Sequence, residues 1–236
     1  MTDPQKENAT VGSIAARGVL YMLLLACVGL VPLLDVIVNP FGRDVLFTEF
    51  SFVQTAQSVS LVIGIAATGH LLIRGILPQL NLLFAALLTC ALVRESDSFL
   101  DHLVNGLWQF AVALILAGTV FHLAGQRKTL NTQITWLTGH YSLGLMLSGF
   151  VIVTGFSRYF GQGALWRRVM GEDYNPTVKY FAEESIELLG YVILIIGVVE
   201  FSSAALRQFE HVSTSMNWRR FGRSAVERLP GKQTTR

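Results

Sequence analysis

Carboxylates stand in this sequence where a membrane leaves little room for charge. Glu95, Asp97 and Asp101 follow directly on the apolar run Leu82 to Val93, and Glu183, Glu184 and Glu187 directly precede a second run, Leu188 to Val199. Each run is 12 residues long, which is about 18 Å of helix at 1.5 Å per residue. The hydrocarbon core of a bilayer is about 30 Å thick. Neither run can cross it alone. The first must continue forward through Arg94 and Glu95 toward His102, and the second must begin near Phe181. Both helices therefore draw acids into the apolar layer, where a charge is costly and by default marks a functional site.

Helical spacing sorts these acids into faces. Glu95, Ser98, Phe99 and His102 share one side, while Arg94, Asp97 and Asp101 share another, so that Arg94 can pair with Asp97 on its own helix. Glu184, Glu187 and Tyr191 fall on one face. Glu49 opens a further apolar segment, with Gln57 and Ser60 below it on about the same side, and Asp35 lies near the end of another. If these groups converge, they form an oxygen-rich pocket. Clustered carboxylates in a low dielectric must be protonated, paired or bound to a cation.

Four chemistries follow. A divalent metal could be held by Glu49, Glu95, Glu184 and Glu187, with His102 as a nitrogen ligand. Oxygen donors favour calcium and imidazole shifts the choice toward zinc or iron, so the residue types do not select among them. Water on such a metal could hydrolyse or transfer a lipid ester or amide, with Glu95, Asp101 and His102 as the catalytic groups. The same acids could instead relay protons or bind a cationic substrate in a transporter. No inverted repeat is visible, however, and Glu200 is the one acid in the inner half of a span. His70, His122 and His140 lie at similar depth near inner helix ends, where two could ligate a haem. No second pair accompanies them and interfacial histidines are common, so haem is not expected. Finally, the acids with Arg94, Arg158, Arg167 and Arg168 could form an ion-pair network that fixes helix register or docks another membrane subunit.

The elements that must position these groups are six apolar stretches, at 18–38, 51–73, 79–101, 105–125, 134–157 and 181–203. They predict an all-α, six-span membrane protein. A polar segment, residues 1–17, precedes the spanning region 18–203, and a basic tail, 204–236, follows it. Of 236 residues, 52% are hydrophobic and 14% charged, against roughly 25% charged in soluble domains. GxSxG, P-loop, HExxH and CxxC motifs do not occur, which removes serine-nucleophile, nucleotide and soluble zinc-protease mechanisms. Cys27 and Cys90 read as small hydrophobes.

Threaded with both termini inside, the outer side holds 11 acids against 6 bases and the inner side 5 acids against 12 bases. Lys/Arg enrichment in cytoplasmic segments sets this orientation. The expected location is a multi-pass position in a bacterial inner membrane. The tail from Arg207 carries seven bases with Trp218 and Phe221 interleaved, which suits anionic headgroups. Expected partners are membrane lipids and another membrane protein or a second copy of the chain, and nucleic acid is not expected. The loop 158–180, rich in Tyr, Trp and Arg, suits an interfacial segment over the helix ends. Pro32 is expected to kink the end of the first span.

Overall fold

The computed structural model describes residues 4–38, 51–97, 100–101 and 104–226, with side chains between residues 15 and 209 of these. Among the described residues every regular element is helical. α1 is Pro4–Val38, α2 Phe52–Ile73, α3 Pro78–Glu95, α4 Leu107–Ala124 and α5 Arg127–Thr138. α6 is Ser142–Phe160, whose stretch Ile152–Phe156 winds as a π-helix. The short α7, Gly163–Met170, leads through one 3₁₀ turn into α8, Pro176–Val226.

Among the described residues five segments are long and apolar enough to cross a membrane: Ala15–Val38, Phe52–Ile73, Leu107–Ala124, Ser142–Phe160 and Pro176–Phe209. The chain is thus an all-α, polytopic membrane protein. α3 is not among the five, in keeping with its short clean run. Helical bonding nevertheless continues past Glu95, with Ser96 N donating to Leu92 O, Leu100 N to Ser96 O and Val104 N to Leu100 O, each at 3.1 Å.

Two boundaries differ from expectation. The fifth span was expected from residue 134, but Arg127–Thr138 forms a separate helix, the chain turns at Gly139, and the crossing begins at Ser142. A glutamine clamp explains the break. Gln133 accepts from Leu80 N at 2.9 Å and donates to Gln79 at 2.6 Å, which ties α5 to the start of α3. The apolar residues that suggested a span pack inward instead: Leu137 is buried, and the Trp136 ring meets Phe201 at 5.8 Å. The last helix begins at Pro176, before Phe181, and runs without a break into the basic tail. Pro32 lies inside α1, which stays helical to Val38. Cys27 is exposed on α1 and is not a core residue.

α8 is the centre of the bundle. Of its most apolar window 61% is buried, against 6% for α4, whose Leu114 and Phe121 point outward as lipid-facing side chains do. α8 packs on α6, α2 and α1, and its Tyr191, Ile195, Val198 and Phe201 join Leu61, Leu88, Met146 and Val153 in the core. The α6–α8 contact depends on missing side chains. A Cβ on Gly149 would lie 2.5 Å from Leu194 N and 2.7 Å from Gly190 O, and one on Gly190 would lie 2.7 Å from Val153 Cγ2. Small residues allow such close backbone approach between membrane helices. Gly149→Leu should therefore lower the melting temperature in detergent by roughly 5 °C, since overpacking costs on the order of 1–3 kcal/mol. Gly118→Leu on α4, where a Cβ meets nothing within 4 Å, should leave it unchanged.

Candidate functional site

The ends of α3 and α6 and the first turns of α8 bring ionisable groups to one end of the bundle. α3 and α8 reach each other through long side chains. Arg94 Nη2 donates to Glu95 Oε1 at 3.0 Å and also to Glu187 Oε1 on α8. Tyr191, one turn further along α8, donates its hydroxyl to the same Glu95 oxygen at 2.6 Å. Arg158 follows directly on the π-helical segment of α6, and its Nη1 donates to Glu183 Oε1 at 2.7 Å and its Nη2 to Glu187 Oε1 at 3.4 Å. The side chain of Glu187 is 2% exposed. Burial at that level is tolerable for a carboxylate because two guanidiniums converge on it.

α2 completes the cluster from the side. Gln57, fully buried, donates Nε2 to Glu184 Oε2 at 3.0 Å, and Gln54 donates to the carbonyl of Glu95 at 2.7 Å. Glu184 is held differently from its neighbours. Among the described residues it has no ion-pair partner, and its carboxylate accepts from an amide alone. Among the described residues Gln57 Oε1 is likewise buried with no donor. The cluster therefore holds four carboxylates, Glu95, Glu183, Glu184 and Glu187, against the two guanidiniums of Arg94 and Arg158. It also presents acceptor atoms that lack a donor.

Of the expected site residues, Glu95, Glu184 and Glu187 come together, with Gln57 and Tyr191 on the faces that helical spacing gave them. Among the described residues Arg94, expected to pair along its own helix with Asp97, is bound to Glu95 and, across the bundle, to Glu187. Asp101 is exposed and accepts from Gly106 N at 2.9 Å, away from this network. Asp35, expected to join the pocket, instead caps α2, accepting from Phe52 N at 2.8 Å and Val53 N at 3.0 Å. Otherwise unpaired donors open every helix, and a carboxylate satisfies them well. Glu49 and His102 lie outside the described residues.

The described residues do not fit a metal cage. No group of three or more His, Cys, Asp or Glu among them is placed to hold a metal ion. Arg94 is bound to one oxygen each of Glu95 and Glu187. The histidines are dispersed in role. His140 Nδ1 lies 2.9 Å from Trp136 O with its ring stacked on that indole, and His122 Nε2 lies 3.2 Å from Gln126.

A second buried acid escaped the sequence reading as a centre of structure. Glu200, 4% exposed, accepts from Tyr21 and Tyr141 and pairs with Arg17 at 3.3 Å. Its signal was present in α1, where Arg17 and Tyr21 stand four residues apart on one face at the start of an apolar helix. The loop 158–180 carries α7, whose Arg167 lies over the Tyr174 ring at 5.4 Å and whose Trp166 donates to Phe160 O at 2.6 Å. A short helix thus occupies the segment whose aromatics and arginines suit an interface.

Arg94→Gln should destabilise the protein by about 3–5 kcal/mol, because it strands buried carboxylates. Adding Glu187→Gln should recover a large part of that loss in thermal unfolding. A double variant as unstable as the single one would mean that the two side chains are not energetically coupled. Comparison with known proteins finds no family model, no curated protein and no solved structure that this chain matches.

Proposed function

We propose that this membrane protein binds a cation in the carboxylate cluster at the end of the bundle opposite its basic tail, with Glu184 as the principal ligand. With α3 as a sixth crossing and the basic tail inside, that end lies in the outer leaflet. The observation that carries the reading is the imbalance at Glu184. Its neighbours are matched with arginines, whereas among the described residues Glu184 accepts from the Gln57 amide alone and Gln57 Oε1 has no donor. A group that brings both positive charge and N–H donors satisfies them together, and an ammonium ion or a protonated amine does so.

Conduction from one membrane face to the other has less support. Glu187 and Glu200 are 13 residues apart on α8, about 20 Å at 1.5 Å per residue. The interval is filled by Leu188, Ile195, Ile196 and Val198. Recognition of a membrane-resident substrate fits the site better than a through-path.

Methylammonium should raise the unfolding temperature of the detergent-purified protein. A ligand at one hundred times its Kd stabilises by about 2.7 kcal/mol. Glu184→Gln should abolish the effect, and the loop variants Glu172→Gln and Asp173→Asn should keep it. Stabilisation by zinc or calcium that a chelator reverses, with none from methylammonium, would replace this reading by metal-assisted chemistry on a lipid.

A further inference from the structure

An apolar groove runs along the bundle directly beneath the charged cluster. It is about 400 Å³ in volume, and it lies between α3, α6 and α8. Phe84, Leu88 and Ala91 line it from α3, Leu143 and Met146 from α6, and Leu194 and Val198 from α8, while its polar groups are Arg94, Tyr191 and Thr154. The hydroxyl of Thr154 is already engaged with Phe150 O at 2.8 Å. The polar end is therefore Arg94 and Tyr191, both bonded to Glu95 Oε1.

Three properties of the groove identify its occupant. Along α3 it extends from Phe84 to Arg94, roughly 15 Å of helix, which is about half of the ~30 Å hydrocarbon core and hence the depth of one leaflet. It is open sideways, since Leu87, Leu147 and Phe150 on its walls are each about half exposed, so a chain can enter from the lipid. The two side chains at its polar end, Arg94 and Tyr191, are bonded to Glu95 and Glu187, members of a cluster in which four carboxylates face two guanidiniums.

We propose that the groove seats the hydrocarbon chain of a membrane amphiphile whose head is a protonated amine, with the head against the Glu95–Glu184–Glu187 cluster. This rests on the cation reading of that cluster and names its ligand class. Chain and head are recognised by separate surfaces. Burial of methylenes supplies affinity and the excess carboxylates supply selection for positive charge. An anionic head would add to the excess of negative charge in the cluster, and a neutral one would leave Glu184 without a positive partner.

The test compares probes of matched chain in one neutral detergent by thermal unfolding of the full chain: methylammonium, decylammonium, decanol and decyl sulfate. Decylammonium should stabilise at concentrations at least about tenfold below methylammonium, a gain that burial of only a few methylenes provides. Decanol and decyl sulfate should not stabilise. Leu87→Trp, at a half-exposed wall position, and Ala91→Leu, beneath Arg94, should bring decylammonium back to the concentration range of methylammonium and leave methylammonium itself unchanged. Glu184→Gln should remove the response to both amines. Equal potency of the long and short amines overturns the groove proposal while the cation site stands. Stabilisation by decanol or decyl sulfate as strong as by decylammonium overturns the cationic head. No response to either amine overturns the cation reading itself. If neither groove variant folds, the four probes on the unmodified chain still decide.

Discussion

One guanidinium holds the charged end of this protein together. Arg94 bonds Glu95 on its own helix and Glu187 on α8, and the other contacts of the cluster are arranged around that bridge. Ion pairs at a surface contribute little. Here the alternative to pairing is a bare carboxylate among apolar side chains, so the choice of partner is forced. The pairing also fixes where α3 stands relative to α8, because two short planar groups tolerate little displacement.

The network explains how the molecule accommodates so many acids without neutralising all of them. Arg94 and Arg158 converge on Glu187, the most buried of the four. Glu184, which lies beside Gln57, receives no such help. The far end of α8 shows the opposite arrangement. Glu200 has an arginine and two tyrosine hydroxyls for one carboxylate, an arrangement that is satisfied and closed. Two glutamates on one helix thus serve different ends. Glu200 ties α1 and α6 to α8, whereas Glu184 has, among the described residues, an amide and no positive charge against it.

Much of this was legible in the sequence, for a physical reason. The apolar runs Leu82 to Val93 and Leu188 to Val199 are too short for the bilayer, so length alone drew Glu95, Glu184 and Glu187 to a common depth, and helical spacing put Tyr191 on the right face. What spacing along one helix cannot give is the neighbour across the gap. Arg94 therefore read as a partner for Asp97, and Asp35 as a site residue when it is a cap for α2. Hydropathy also misplaced the start of the fifth span. Trp136 and Leu137 are apolar because they pack on the bundle, and a glutamine clamp on α3 decides where that helix lies.

The π-helical turn in α6 has its own consequence. Gly149 and Ser157 both face α8 with little or no exposure, yet eight residues of ordinary α-helix would leave them roughly 80° apart in angular phase. A π turn takes in one extra residue and retards the phase by about 100°, which returns Ser157 nearly into line with Gly149. The helix thus keeps a single stripe on α8 for its whole length, and the residue next in sequence emerges at the flank of that stripe. That residue is Arg158, so its approach to Glu183 and Glu187 is set by a surplus of one residue in the winding several positions earlier.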